Sequence, residues 1–172
     1  MHSRSSHAHH DHGACAHAAH QVARAPDALA RAETLCRAKG ARLTPVRRRV
    51  LEALYATYRP LGAYDIANAL PAGDGHRRLA PISIYRALDF LIEQGLVHRL
   101  ASRNAFIACP HGHEPHDLVA FLICERCNGV DELSSAGLTD ALSHALAGDG
   151  FEPHLQVLEI SGTCAHCRGH AA

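Results

Sequence analysis

Two cysteine pairs of identical spacing, Cys124-Glu125-Arg126-Cys127 and Cys164-Ala165-His166-Cys167, constrain this chain more than any other feature of it. Where thiols are kept reduced, such pairs are metal ligands rather than disulfide partners. Four thiolates can close a tetrahedral shell around Zn²⁺. Neither pair sits at the strand-to-helix junction of a βαβ unit, where a redox-active CxxC belongs, and there are two of them. A structural four-cysteine site in so small a module contributes about 10–16 kcal/mol of apparent binding free energy to folding and staples the two ends of the module together.

The segment around the knuckles reads as an α+β module. Strands are predicted over Leu118–Ile123, Gly129–Leu133 and Leu155–Ile160, with a helix before the last that carries Leu138, Leu142, Ala145 and Leu146 on one face. The first half of the chain reads differently. A helix is predicted from about Pro26 to Lys39, with Leu29, Ala32, Leu35 and Cys36 on one face and Gly40 as its left-handed exit. Thr44-Pro45 then supplies an N-cap and a first-turn proline for a second helix, which buries Val46, Val50, Leu51 and Leu54 and exposes Arg47, Arg48 and Arg49. A short helix covers 63–70, and a loop rich in Gly and charge covers 71–79. A fourth helix, Ile82 to Gln94, buries Ile84, Leu88, Leu91 and Ile92 and stops at Gly95. Two short apolar runs, 96–100 and 104–108, form a hairpin. Helices followed by a hairpin describe a winged helix.

Charge supports a division of labour. The formal net charge is zero, but residues 24–105 carry fourteen Lys and Arg against seven Asp and Glu, while residues 106–172 carry two against nine. The basic half suits phosphate neutralisation on DNA. Within it, Ser83, Tyr85 and Arg86 lie early on the fourth helix, as on a recognition helix whose first turns meet phosphates and base edges. Arg86 can pair bidentately with guanine. No apolar run approaches the roughly 20 residues of a membrane span, and no apolar signal-peptide core opens the chain, so a cytoplasmic protein is expected. Residues 1–23 hold seven of the sixteen histidines without apolar periodicity and read as a disordered, metal-attracting tail.

A second, mixed set of donors surrounds the junction of the two halves: His98, Cys109, His111, His113, His116, Asp117 and Glu132. Imidazole, thiolate and carboxylate together favour Zn²⁺ over Mg²⁺ or Ca²⁺.

These residues resemble the ferric uptake regulator family, and within it the zinc-responsive branch. The resemblance is carried by Arg42-Leu43-Thr44-Pro45 with Arg47, Val50 and Leu51, by Ala63-Tyr64-Asp65, by Ser83-Ile84-Tyr85-Arg86-Ala87-Leu88-Asp89-Phe90-Leu91 with Glu93-Gln94-Gly95-Leu96-Val97-His98, and by both knuckles. It spans residues 26–167. The tyrosine-arginine helix and the paired knuckles are specific jointly rather than singly.

The resemblance implies an α+β chain in which an N-terminal winged-helix DNA-binding domain, residues 24–108, precedes a hinge and metal loop, 109–117, and a small α/β dimerisation domain with a four-cysteine zinc site, 118–172. It implies a homodimer on palindromic double-stranded operator DNA, with two zinc ions per subunit, repressing zinc-uptake genes and acting on no small-molecule substrate. It maps the regulatory zinc site onto His98, Cys109 and Glu132. The fourth ligand falls within Glu114-Pro115-His116-Asp117, with His116 expected and Asp117 the first alternative, while His111 and His113 stay open. Tyr64 and Arg86 fall on positions of the family's DNA contacts. Relatives that sense iron or peroxide build this site from His, Asp and Glu, so the sulfur of Cys109 points to zinc.

Three rivals are weaker. A regulator of another metal would share the fold. A zinc buffer or chaperone would use the histidine tail and need no recognition helix. A zinc hydrolase is suggested only by His111-Gly112-His113-Glu114-Pro115-His116, where Pro115 replaces the Asp that such a motif requires.

Overall fold

The computed structural model describes residues 16–70, 79–109, 118–153 and 157–169. Helix α1 spans Ala16–Ala38 and so begins inside the stretch expected to be a disordered tail. Alanine has the highest helix propensity, and Ala16, Ala18, Ala19 and Ala23 favour extension of the helix ahead of Pro26. Further along, Ala28, Ala32 and Cys36 recur every fourth residue and are buried. Gly40 takes φ +66°, the expected left-handed exit.

Helix α2, Pro45–Tyr55, buries Val50, Leu51, Leu54 and Tyr55. Thr44 occupies its N-cap with extended backbone, and its carbonyl accepts the Arg48 amide at 2.9 Å, while its side chain makes no capping bond. Of the three arginines expected to face solvent, Arg48 is exposed, while Arg47 and Arg49 are half-buried. Arg47 lies 3.4 Å over the Phe90 ring and donates to the Arg42 carbonyl at 2.6 Å. Arg48 pairs with Glu52 at 2.8 Å and with Glu33 of α1.

Helix α3, Ala63–Ala69, starts with the Asp65 carboxylate accepting the Gly62 amide at 3.1 Å. Helix α4, Pro81–Glu93, buries Ile84, Ala87, Leu88 and Leu91. Ile92, expected in the core, is exposed, because it lies about 100° round the helix from Leu91 and Ala87 completes the stripe instead. The loop expected at 71–79 falls almost wholly outside the described residues.

After Gly95, at φ +71°, strands β1 (Val97–Leu100) and β2 (Ala105–Ala108) pair antiparallel across a 3-10 turn, Ala101–Arg103. Leu61 adds a third rung to this wing, exchanging backbone hydrogen bonds with Phe106 at 3.0 and 2.8 Å.

The second module comprises β3 (Val119–Cys124), β4 (Val130–Leu133), α5 (Ala136–Gly148), β5 (Val157–Gly162) and a short α6 (Ala165–Gly169). Its sheet order is β4-β3-β5, with β4 antiparallel and β5 parallel to β3. The parallel pairing requires a crossover, which α5 provides. Helix α6, which follows Cys164 and carries Cys167 of the second knuckle, has too few residues to show a sequence period.

One apolar core joins α1 to α4 with the wing. The other consists of Leu100 and Ile107 from the wing with Val119, Phe121, Ile123 and Val130 from the sheet. The second core therefore crosses the boundary that the hinge at 109–117 suggests, and wing and sheet share one apolar joint. Among the described residues, no helix is long and apolar enough to cross a membrane.

Candidate metal centres and nucleic-acid interface

Strand β3 ends on Cys124, and the chain reverses at once. The Asn128 amide donates to the Cys124 carbonyl at 2.9 Å, and Asn128 takes φ +57°, a left-handed conformation that Asn tolerates. The Glu125 amide reaches the Gly162 carbonyl at the end of β5 at 2.8 Å, which brings the second knuckle alongside the first. Arg126 then spans both knuckles by donating to the Cys167 carbonyl at 2.6 Å.

The sulfurs of Cys124, Cys127, Cys164 and Cys167 all lie within 4.8 Å of one another. A tetrahedral zinc shell with bonds of about 2.3 Å puts its sulfurs about 3.8 Å apart, so the cluster fits that ion with little adjustment. Three of the sulfurs accept backbone amides at 3.4 Å: Cys124 from Cys164, Cys127 from Gly129, and Cys164 from Cys167. Burial opposes the Cys124 thiolate, but the amides of Cys164, Cys127 and Arg126 outweigh it and lower the pKa to about 6. Burial and the sulfurs of Cys164 and Cys124 push the Cys167 thiol up to about 11. Four sulfurs this close cannot all ionise without a counter-charge, which a divalent cation supplies.

The second cluster draws on three elements. His98 lies on β1, Cys109 directly follows β2, and Glu132 lies on β4. One donor atom of each falls within 4.8 Å of the others. The Cys109 thiol donates to the Glu132 carboxylate at 3.8 Å and is buried, at 2% exposure. The His98 ring packs against Phe121 with centroids 5.0 Å apart. His, Cys and Glu are a donor set suited to zinc. His116 and Asp117, with His111 and His113, lie outside the described residues.

The chain around this cluster is tied to the end of α4. The Gly95 and Leu96 amides donate to Ile92 and Leu91 at 2.9 Å each, and the Cys109 amide donates to the Leu96 carbonyl at 2.9 Å. The Cys109 carbonyl accepts the buried Tyr55 hydroxyl at 2.7 Å. Burial, with the nearby Cys109 and Glu132, raises the Tyr55 pKa, so this hydroxyl remains a donor at any physiological pH.

Tyr64 is 72% exposed and Tyr85 43%, Arg86 is exposed, and Ser83 is half-buried. All four stand on α3 and the early turns of α4. Ile82, also exposed, joins them and was not singled out from the sequence. Tyr55 and Glu159 were missed as well. Tyr55 carried only a core signal, and Glu159 only the oddity of one carboxylate between Leu158 and Ile160 in an apolar strand.

Comparison with known proteins places this arrangement. Residues 38–161 match the model of the ferric uptake regulator family. The chain is 37% identical to the zinc uptake regulation protein of Escherichia coli (strain K12) over 139 residues, 81% of this chain and 80% of that one. It superposes on a zinc uptake regulator complexed with zinc and DNA with a TM-score of 0.77 at 35% identity, covering 84% of this chain and 95% of the other. Against holo XcZur the TM-score is 0.73 at 38% identity, covering 82% and 96%. Against apo XcZur, at the same 38% identity and covering 85% and 99%, it is 0.50, so the present arrangement is more similar to the holo form. With most of its length matched by the family model and by these relatives, the chain belongs to the ferric uptake regulator family.

Proposed function

We propose that this protein is a zinc-responsive transcriptional repressor, which binds palindromic operator DNA as a zinc-loaded homodimer and represses zinc-uptake genes. The observation that carries the reading is the meeting of His98 and Cys109, from the winged helix and its exit, with Glu132 from the sheet. A zinc ion held by these residues, with His116 as the proposed fourth ligand and Asp117 as the alternative, would supply a bond between the two modules. The four-cysteine cluster would hold a second, structural zinc in each subunit. Tyr64, Ser83, Tyr85 and Arg86 would face the DNA, with Arg86 reading a base edge.

The likeness to a zinc uptake regulator bound to zinc and DNA supports this reading, as does the greater similarity to holo than to apo XcZur. The homodimer is supported by the sheet face turned away from the wing, where Leu122, Leu133 and Ile160 are exposed. Helix α5 adds to it, since Leu138, Leu142 and Leu146 are only half-buried in a single chain. Apolar surface of this kind is suited to a self-complementary interface between two copies.

The test is a mobility shift on promoter fragments of zinc-uptake genes, with zinc titrated into protein treated with a chelator. Retardation is expected to appear with zinc and to vanish with excess chelator. Equal retardation in both samples would show that the reading is wrong.

A further inference from the structure

One row of side chains crosses the sheet on its wing-facing side. Phe121 of β3 has Glu132 of β4 as its Cα partner on one side and Glu159 of β5 on the other. Phe121 meets the His98 ring, and Glu132 meets Cys109. Glu159 reaches the wing at a different place. Its Oε1 accepts the Ala101 amide at 2.6 Å, and its Oε2 accepts the Ser102 amide at 3.1 Å and also the Ser102 hydroxyl.

The two amides open the 3-10 turn between β1 and β2, where backbone donors lack partners within the turn itself. A carboxylate there makes charge-assisted hydrogen bonds, the stronger kind. Burial would raise the Glu159 pKa, but the Ser102 hydroxyl, the two amides and nearby Arg103 hold it below the usual carboxylate range. The contact therefore involves an ionised group and three donors from residues 57 and 58 positions away.

We propose that Glu159 is the metal-independent anchor of the wing, holding the hairpin tip to the sheet while the metal cluster joins the hairpin's base to the opposite edge. This rests on the zinc-responsive reading given above. Glu132 and Glu159 stand two strand spacings apart, roughly 10 Å. The apolar joint of Leu100 and Ile107 with the sheet holds the wing against it but is non-directional, whereas two polar attachments at that separation fix the wing's orientation on it. With the tip pinned, the unmetallated protein samples fewer arrangements, and its share of binding-competent molecules rises. Glu159 is a positioning residue here: it acts on DNA binding through the wing.

The experiment compares full-length wild type, Glu159→Gln and Cys109→Ser by amide hydrogen exchange and by zinc-titrated mobility shift. Glu159→Gln preserves volume but sets an amide NH2 among donors. Its Ala101 and Ser102 amides are expected to exchange at least about tenfold faster than in wild type, while in Cys109→Ser they stay protected. The zinc concentration for half-maximal operator binding is expected to rise about tenfold in Glu159→Gln, an ordinary size for coupling between two sites. Its knuckle zinc content should be unchanged.

Equal exchange in wild type and Glu159→Gln, or loss of protection in Cys109→Ser, would overturn the anchor. Should Glu159→Gln fail to fold, the wild-type amides decide alone, since exchange at the rate of an open turn excludes the contact. A wild type that binds operator without regard to zinc would sink the functional reading, while the exchange data still judge the anchor.

Discussion

The four-cysteine cluster and the cluster of His98, Cys109 and Glu132 draw on overlapping chemistry but differ in where their donors originate. All four knuckle sulfurs belong to the sheet module, brought together where β3 and β5 end side by side. The second cluster takes one donor from the wing, one from the wing's exit and one from the sheet. Binding energy at a site enclosed by one module is spent on folding that module. At a site divided between modules that already share an apolar joint, it acts on their mutual arrangement instead. In the proposed function, origin of ligands thus separates a structural ion from a regulatory one.

The sharpest way to break this contrast is to remove one knuckle sulfur. Cys124→Ser is expected to cost much of the roughly 10–16 kcal/mol that a structural zinc site supplies, leaving the sheet module unfolded. Circular dichroism and metal content check it; a folded variant with normal dimerisation would mean that the cluster is dispensable. Cys109→Ser, by contrast, should keep fold and dimer but lose zinc-dependent operator binding. A full switch from 1:99 to 99:1 requires about 5.5 kcal/mol of differential binding, and that quantity should disappear from the zinc titration.

Smaller effects sharpen the comparison. Arg86→Ala should weaken operator binding by about 1–3 kcal/mol per lost base contact while leaving the zinc midpoint where it was. A shifted midpoint would place Arg86 in the switch rather than in base reading. Tyr55→Phe leaves the buried Cys109 carbonyl without its hydroxyl donor, and should lower stability by about 1–3 kcal/mol in thermal or denaturant unfolding. No measurable loss would show that the carbonyl finds another donor.

Local signals carried much of this architecture. Thr44-Pro45, Gly40 and Gly95 mark helix ends, and the four-residue recurrence of apolar side chains identifies the buried faces of α1, α2 and α4. The knuckles were legible because their spacing is itself the ligand geometry. The contacts that join the modules were not. Nothing near Glu159 announces a partner on the wing turn, because the pairing depends on how a strand and a hairpin meet after each has formed. Ile92 was misjudged for a related reason: helical period places it near the stripe, and only the width of the neighbouring helices' contact decides that it stays outside. The start of α1 was misplaced because histidine-rich composition drew attention from the alanines between the histidines.

The ties around Leu96 limit what regulation can do. The end of α4, Leu96 just before β1, and Cys109 are joined by backbone hydrogen bonds at Leu91, Leu96 and Cys109, with Tyr55 bracing the last from α2. These ties couple the end of α4 to the base of the hairpin and to Cys109, so a displacement of Cys109 would carry α4 and the hairpin with it. Loss of metal would accordingly alter the distance between half-sites that a dimer tolerates, while the letters preferred within each half-site stay the same.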